Sequence, residues 1–127
     1  MKKITGVLVN VSEGTARKVT IDRSLESYYK ALNCDCIDIV NRRLGGYRFD
    51  VICDDEALLK DNPLPSAIGP DGQPMLFGNL FFCKPDGKGD LLSLSDLEAD
   101  LILSRCDRVR LKSAPEKSWL AVWRLDY

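Results

Sequence analysis

The chain has 127 residues, 45% of them apolar, which is enough for one domain with its own core and gives no reason for an internal boundary. Its 18 basic and 19 acidic residues give a net charge of -1, which argues against a protein that coats a nucleic-acid polymer and against an acidic mimic of DNA. The absence of histidine excludes Ser-His-Asp and Cys-His nucleophile systems.

The N-terminus begins like a signal peptide, but its apolar segment is short and lacks a small-residue cleavage site, so we expect a cytoplasmic protein without a membrane span. Five cysteines are an odd number without framework spacing, which indicates reduced thiols. Cys34 and Cys36 are closely spaced, but no histidine and no second such pair completes a zinc site. We therefore expect neither a metal nor a cofactor.

The first part of the chain predicts a β-hairpin and then an amphipathic helix. Residues 4–11 are rich in β-branched side chains and residues 16–22 alternate in polarity, so two paired strands are expected. Ser24 is a predicted N-cap, and the apolar stripe after it includes Tyr28 and Leu32. Tyrosines in such a stripe are usually core residues, but one at its margin could line a pocket.

A second hairpin is predicted from residues 36–42 and 47–53, because Gly45 and Gly46 supply the positive φ angles of a tight turn. Arg42 and Arg43 stand just before these glycines. Arginines beside exposed backbone amides suit phosphate or carboxylate. The alternative interpretation is an ordinary solvated hairpin tip.

Residues 61–74 hold four prolines and read as a long loop, which we expect to be either a binding element or mobile. The densest apolar run follows at residues 75–83 and predicts a central strand covered on both faces. Gly78 and Asn79 interrupt it, and a glycine there indicates a bulge or a close approach. Asn79 either bonds nearby backbone or forms the floor of a ligand site.

Near the C-terminus, Ser95 and Glu98 form a predicted capping box for a helix that runs to about residue 105. We expect four apolar side chains near this helix to face the core: Leu94, Leu97, Leu101 and Ile102. Residues 108–112 and 119–125 predict strands. Trp119 and Trp123 share one parity, so they either anchor the core or, if exposed, stack a base or close a dimer.

Together these elements predict one compact α+β domain over residues 1–127, with a mostly antiparallel sheet and two main helices. The acidic residues are scattered singly, and no Rossmann, kinase or phosphate-loop glycine motif is present. No catalytic residue is predicted, and the balance favours binding over catalysis.

Residues 19–102 resemble an uncharacterised family of small proteins from phages, plasmids and other mobile elements of bacteria. The order of five features carries this resemblance: the helix with Tyr28, the Gly45-Gly46 turn, the Asn62-Pro63 loop, the Gly78-Asn79 strand and the helix start at residues 93–96. The resemblance implies a mobile-element setting and an α+β fold. By wider analogy, compact phage proteins of this size often sequester nucleotide messengers of host immune systems.

We therefore expect a non-enzymatic, phage-type protein in the host cytoplasm that sequesters a small polar ligand, with a host immune nucleotide as the leading candidate. The candidate residues are Arg42, Arg43, Gly45 and Gly46 for phosphate, Tyr28 or Trp119 for stacking, and Asn62 or Asn79 for polar recognition. We also expect a homo-oligomer, held by the two tryptophans and the C-terminal strand, with no nucleic-acid polymer and no membrane as partner. The alternatives are a protein-interaction module that inhibits a host protein and a hydrolase of the messenger.

Overall fold

The computed structural model describes residues 2–11, 13–59, 64–88, 90–109 and 120–126. These form an α+β fold with mostly antiparallel strands and two helices, as predicted, but the strands are divided between a main sheet and a smaller second sheet. The elements in chain order are β1 (Lys3–Asn10), β2 (Thr15–Asp22), α1 (Leu25–Leu32), β3 (Ile37–Leu44), β4 (Tyr47–Asp54), a single 3-10 turn (Ala57–Leu59), β5 (Pro65–Ile68), β6 (Pro74–Phe77), β7 (Leu80–Pro85), β8 (Leu91–Leu92), α2 (Asp96–Ser104), β9 (Cys106–Val109) and β10 (Leu120–Arg124).

The main sheet has the strand order β2-β1-β7-β4-β3, and β8 pairs with β7 outside this path. Its central strand is β7, in which Leu80, Phe81, Phe82 and Cys83 are all fully buried. Side chains alternate between the two faces of a strand. Phe82 therefore packs with the core on one face, whereas Phe81 packs beneath α1 on the other. The prediction of a central strand covered on both sides is confirmed for β7.

The second sheet, in the order β6-β5-β10-β9, corrects the prediction of a long loop over residues 61–74. Residues 65–68 form β5, which pairs antiparallel with β6 and parallel with β10. The proline-rich composition was misleading because Pro65 occupies the first position of the strand, where a proline is tolerated. The small side chains of Ser66 and Ala67 are fully buried between neighbours.

The run at residues 75–83 is divided between the two sheets, so the prediction of one continuous strand was wrong. Its first part belongs to β6 and its last part to β7, and the chain turns at Gly78. Gly78 has φ 81°, and a Cβ there would lie 3.3 Å from the Cβ of Ala57. A side chain at this corner would be both strained and crowded, which explains the glycine.

Both helices begin at the predicted caps. The Ser24 hydroxyl accepts from the N–H of Ser27 at the start of α1, and Ser95 and Glu98 form the capping box of α2. One of the core positions predicted for α2 was wrong, since Leu97 is 81% exposed. Ala99 and Ile102 are the fully buried residues of α2, because the small side chain at 99 lets the helix approach the sheet closely.

Trp123 anchors the C-terminal strand in the core, as one of the two interpretations predicted. It is fully buried, its ring centroid lies 5.6 Å from that of Phe82, and its Nε1–H donates a 2.8 Å hydrogen bond to the carbonyl of Ile102. Trp119 lies outside the described residues. Because β10 lies between β5 and β9, it offers no free edge for pairing between subunits, and Trp123 offers no exposed surface.

Candidate functional site

The predicted arginine pair is split between the two faces of the main sheet. In the register of β3 with β4, Arg42 lies opposite the core residue Phe49, whereas Arg43 lies opposite Arg48 on the face that carries α1. Consecutive residues of a strand point to opposite faces, so the two guanidinium groups do not meet in one site. The sequence-based interpretation placed Arg43 in a four-residue connection, but β3 continues to Leu44 and the turn has two residues.

The glycine turn itself is confirmed, with φ of 60° at Gly45 and 85° at Gly46. The amide of Gly46, however, already has an anionic partner. It donates a 2.9 Å hydrogen bond to Oδ2 of Asp126, whose own N–H donates to the carbonyl of Arg43 at 2.7 Å. A carboxylate of the chain thus occupies the position predicted for a ligand phosphate.

Asn79 uses both ends of its amide within the chain. Its Oδ1 accepts from the N–H of Val11 at 3.0 Å, and its Nδ2 donates to the carbonyl of Leu32 at 3.2 Å. These contacts join the end of β1, the end of α1 and the start of β7. The structure therefore places Asn79 as a structural bridge, the first of the two interpretations of this residue.

The side chain of Tyr28 lies between α1 and the main sheet rather than at a surface where a base could stack. It is only 6% exposed, and its ring centroid is 6.3 Å from that of Phe81. Burial raises the pKa of its phenol above the ordinary value. Tyr28 and Arg42 lie on opposite sides of the main sheet, and Asn62 lies outside the described residues.

Arg42 is the predicted residue that lines a cleft, with a volume of about 230 Å³, between β3 and β6. Three carboxylates line the same cleft, those of Asp38, Asp54 and Asp55. Their charge outweighs that of Arg42, so the cleft repels rather than attracts an anion. This arrangement does not suit the predicted phosphate ligand.

A larger groove of about 530 Å³ lies between α1 and β2, on the α1 face of the main sheet. It exists because α1 covers the middle of the sheet, through Tyr28 and Leu32, and leaves the face of the edge strand β2 beside it open. Its volume falls within the roughly 300–1,000 Å³ range of small-molecule sites. We call it the α1–β2 groove.

The floor of the α1–β2 groove is apolar. It is formed by the partly buried side chains of Leu8 on β1 and of Val19 and Ile21 on β2. Ala31 of α1 adds to it from the side. Such a floor favours the flat, weakly polar part of a ligand.

The rim of the α1–β2 groove is basic. Lys3, Arg17 and Lys30 line it, together with the single carboxylate of Asp22, which forms an ion pair with Lys3. Arg17 and Lys30 form no ion pair and no side-chain hydrogen bond with any described residue. The two cations are therefore available to a negatively charged ligand.

Sequence reasoning missed this groove although its residues show regular spacing. Ser27, Lys30 and Ala31 fall at i, i+3 and i+4 on one face of α1, and Arg17 shares a face of β2 with Val19 and Ile21. Neither pattern tells where α1 lies on the sheet. The groove follows from that long-range placement.

The buried thiols have environments that disfavour nucleophilic chemistry. Burial raises the pKa of Cys53 to about 11 and that of Cys83 to about 12, so both remain protonated at neutral pH. Within the ranges that the structure describes, no group of three or more Cys, Asp or Glu side chains is arranged to hold a metal ion. In the same ranges, neither helix has the length and apolar character needed to cross a bilayer.

Comparison with known protein families identifies the family of the chain and leaves its activity open. Residues 3–107 match DUF3846, a domain of unknown function. The chain belongs to the DUF3846 family. The match extends beyond the span over which the sequence resembled an uncharacterised family. No curated protein and no solved structure shows significant similarity to this DUF3846 domain.

Proposed function

We propose that this DUF3846 protein binds a small nucleotide-like anion in the α1–β2 groove and holds it without chemical change. The observation that carries the proposal is the pair of cations, Arg17 and Lys30, beside an apolar floor and without partners among the described residues. A phosphate group would supply the missing acceptors, since arginine binds its oxygens in pairs and lysine adds a point charge. The heterocycle would lie on Leu8, Val19 and Ile21.

The groove supports an anion better than the cleft beside Arg42 does. The groove has three cations and one carboxylate at its rim, whereas the cleft has one cation and three carboxylates. The sign of the local charge decides which of two similar concave surfaces attracts a phosphate. The proposed ligand site therefore differs from the residues predicted by the sequence.

We further propose that the protein is encoded by a phage, plasmid or related element, acts in the cytoplasm of a bacterial host, and sequesters a nucleotide messenger of host immunity. This part rests on the resemblance to mobile-element proteins and on analogy with compact phage proteins of similar size. Holding the messenger would lower its free concentration, provided that protein is present in excess over the signal.

Native mass spectrometry of protein purified from bacterial cells, followed by heat release, tests sequestration. We expect a bound nucleotide that is released intact. Release of cleavage products would instead support the hydrolase of the messenger. Purified protein that carries no nucleotide, and that binds none of 5′-AMP, ADP-ribose and cyclic di-GMP when they are added, would contradict the proposal.

The second candidate function, a module that blocks a host protein, is favoured by two adjacent exposed leucines. Leu58 is 65% exposed and Leu59 82%, at the 3-10 turn that follows β4. Exposed apolar side chains next to each other are typical of contact surfaces. Replacement of both by serine should abolish inhibition of a host protein if this function is right, and should leave nucleotide binding unchanged if the groove is the functional site.

A further inference from the structure

The outer edge of β3 carries backbone groups that no described strand pairs. β3 is the last strand of the main sheet, with β4 on its inner side. The N–H of Ile39 donates 2.9 Å to Oδ1 of its neighbour Asp38, and the carbonyl of Asn41 accepts 2.9 Å from Nη1 of its neighbour Arg42. Both backbone groups therefore point away from β4. Each forms a hydrogen bond with a side chain of its own strand, and the backbone of another strand could replace that partner.

The charges of β3 are arranged symmetrically about Val40. Asp38 stands two residues before it and Arg42 two residues after it, on the same face of the strand. If two copies of β3 pair antiparallel with Val40 opposite Val40, Asp38 of each copy lies opposite Arg42 of the other. Two copies of the β3 edge are thus complementary in charge when they pair in this register.

The residues of β3 whose backbone hydrogen-bonding groups point outward are the ones that this register requires. Ile39 and Asn41 direct their backbone groups outward, so in the paired arrangement they would bond to each other across the interface. Asp38 and Arg42 would then form a non-hydrogen-bonded pair, in which Cα atoms lie about 4.5 Å apart and side chains approach most closely. The two side chains released from their local backbone contacts would meet as an ion pair.

We propose that this protein forms a twofold dimer through antiparallel pairing of the two β3 edges, with Val40 at the axis and reciprocal ion pairs between Asp38 and Arg42. The main sheet then runs without a break through both copies. Pairing also removes Ile39, 47% exposed, partly from water.

Charge reversal tests the register directly. We expect wild-type protein at micromolar concentration to elute with twice the 14.2 kDa mass of one chain in size-exclusion chromatography with light scattering. Asp38→Arg alone and Arg42→Asp alone each place like charges opposite each other at both ends of the interface, so each variant should be a monomer.

Mixing the two single variants restores opposite charges at both ends, because positions 38 and 42 are both positive in one chain and both negative in the other. We expect the equimolar mixture to form a heterodimer, recognised in native mass spectrometry by the sum of two different masses. The double variant Asp38→Arg with Arg42→Asp should dimerise with itself. Circular dichroism confirms that each variant is folded, and Val40→Lys, which brings two cations to the axis, gives an independent monomer if a charge-reversal variant does not fold.

A monomeric wild-type protein would overturn the proposal. Dimers of the folded single variants that are as stable as the wild type would also overturn it, since they would show association through another surface. The same holds for a mixture that remains monomeric. None of these outcomes involves the α1–β2 groove, so the dimer and the ligand site succeed or fail separately.

Discussion

The carboxylate of Asp126 accepts a 2.9 Å hydrogen bond from the N–H of Gly46 and thereby joins the segment that follows β10 to the β3–β4 turn. The N–H of Asp126 in turn donates to the carbonyl of Arg43 at 2.7 Å. The turn predicted as a phosphate cradle is thus stabilised by the protein's own anion. This contact connects the two sheets, because β10 lies in the second sheet and the turn in the main one.

We predict that Asp126→Ala lowers the free energy of unfolding by about 1 kcal/mol, the usual net value of one hydrogen bond, because Asp126 is exposed and water screens the extra contribution of its charge. Urea denaturation measures it. Asp126→Asn keeps an acceptor oxygen and should lose less. Unchanged stability in both variants would show that the contact does not hold the turn.

For Asn79→Leu we predict loss of roughly 2 kcal/mol of stability, because the N–H of Val11 and the carbonyl of Leu32 both lose their partner in a partly buried place. Nucleotide affinity should remain that of the wild type, since Asn79 does not line the α1–β2 groove. Asn79→Asp, which can still accept from Val11, serves as the intermediate control. Weakened nucleotide binding by a folded Asn79→Leu protein would assign the residue to the site after all.

The buried thiol of Cys83 should make the protein sensitive to alkali. Burial raises its pKa from 9.0 to about 12, so between these values the unfolded chain loses the proton while the folded chain keeps it. The contribution of this group to stability is complete below pH 9 and is lost as the pH rises toward 12.

Stability measured in urea from pH 8 to pH 11 checks this dependence. We expect the wild type to lose more stability over this interval than Cys83→Ala, in which the titrating group is absent. The free energy of unfolding of the variant is already lower at pH 8, because removal of the sulfur leaves a cavity. Equal slopes for the two proteins would contradict the burial argument for this thiol.

Local signals predicted much of the fold. The N-cap Ser24, the capping box of Ser95 with Glu98, and the Gly45-Gly46 turn each act within a few residues, so the sequence identifies them directly. The division of residues 75–83 between two sheets depends instead on long-range pairing, since β6 pairs with β5 whereas β7 pairs with β1 and β4. Apolar content alone predicts burial but not the sheet in which a residue is buried.

The candidate site was predictable to a smaller extent. Arg42 and Arg43 were grouped because they are neighbours in sequence, but extension of β3 by two residues sends them to opposite faces. Arg17 and Lys30 were not grouped, since they are brought together only by the placement of α1 over the sheet. Sequence spacing predicts which residues share a face of one element. It does not predict which other element lies across a groove from that face.

The most direct test of the central proposal is isothermal titration calorimetry of the wild type and of Arg17→Glu with Lys30→Glu, using 5′-AMP, ADP-ribose and cyclic di-GMP as probes. The matched control is Arg48→Glu with Lys88→Glu, an equal charge change at exposed residues outside the groove. We predict that at least one probe binds the wild type and the control alike and binds the groove variant at least 10-fold more weakly, about 1.4 kcal/mol. Equal affinity of the folded groove variant and the control would contradict the assignment of the ligand to the α1–β2 groove.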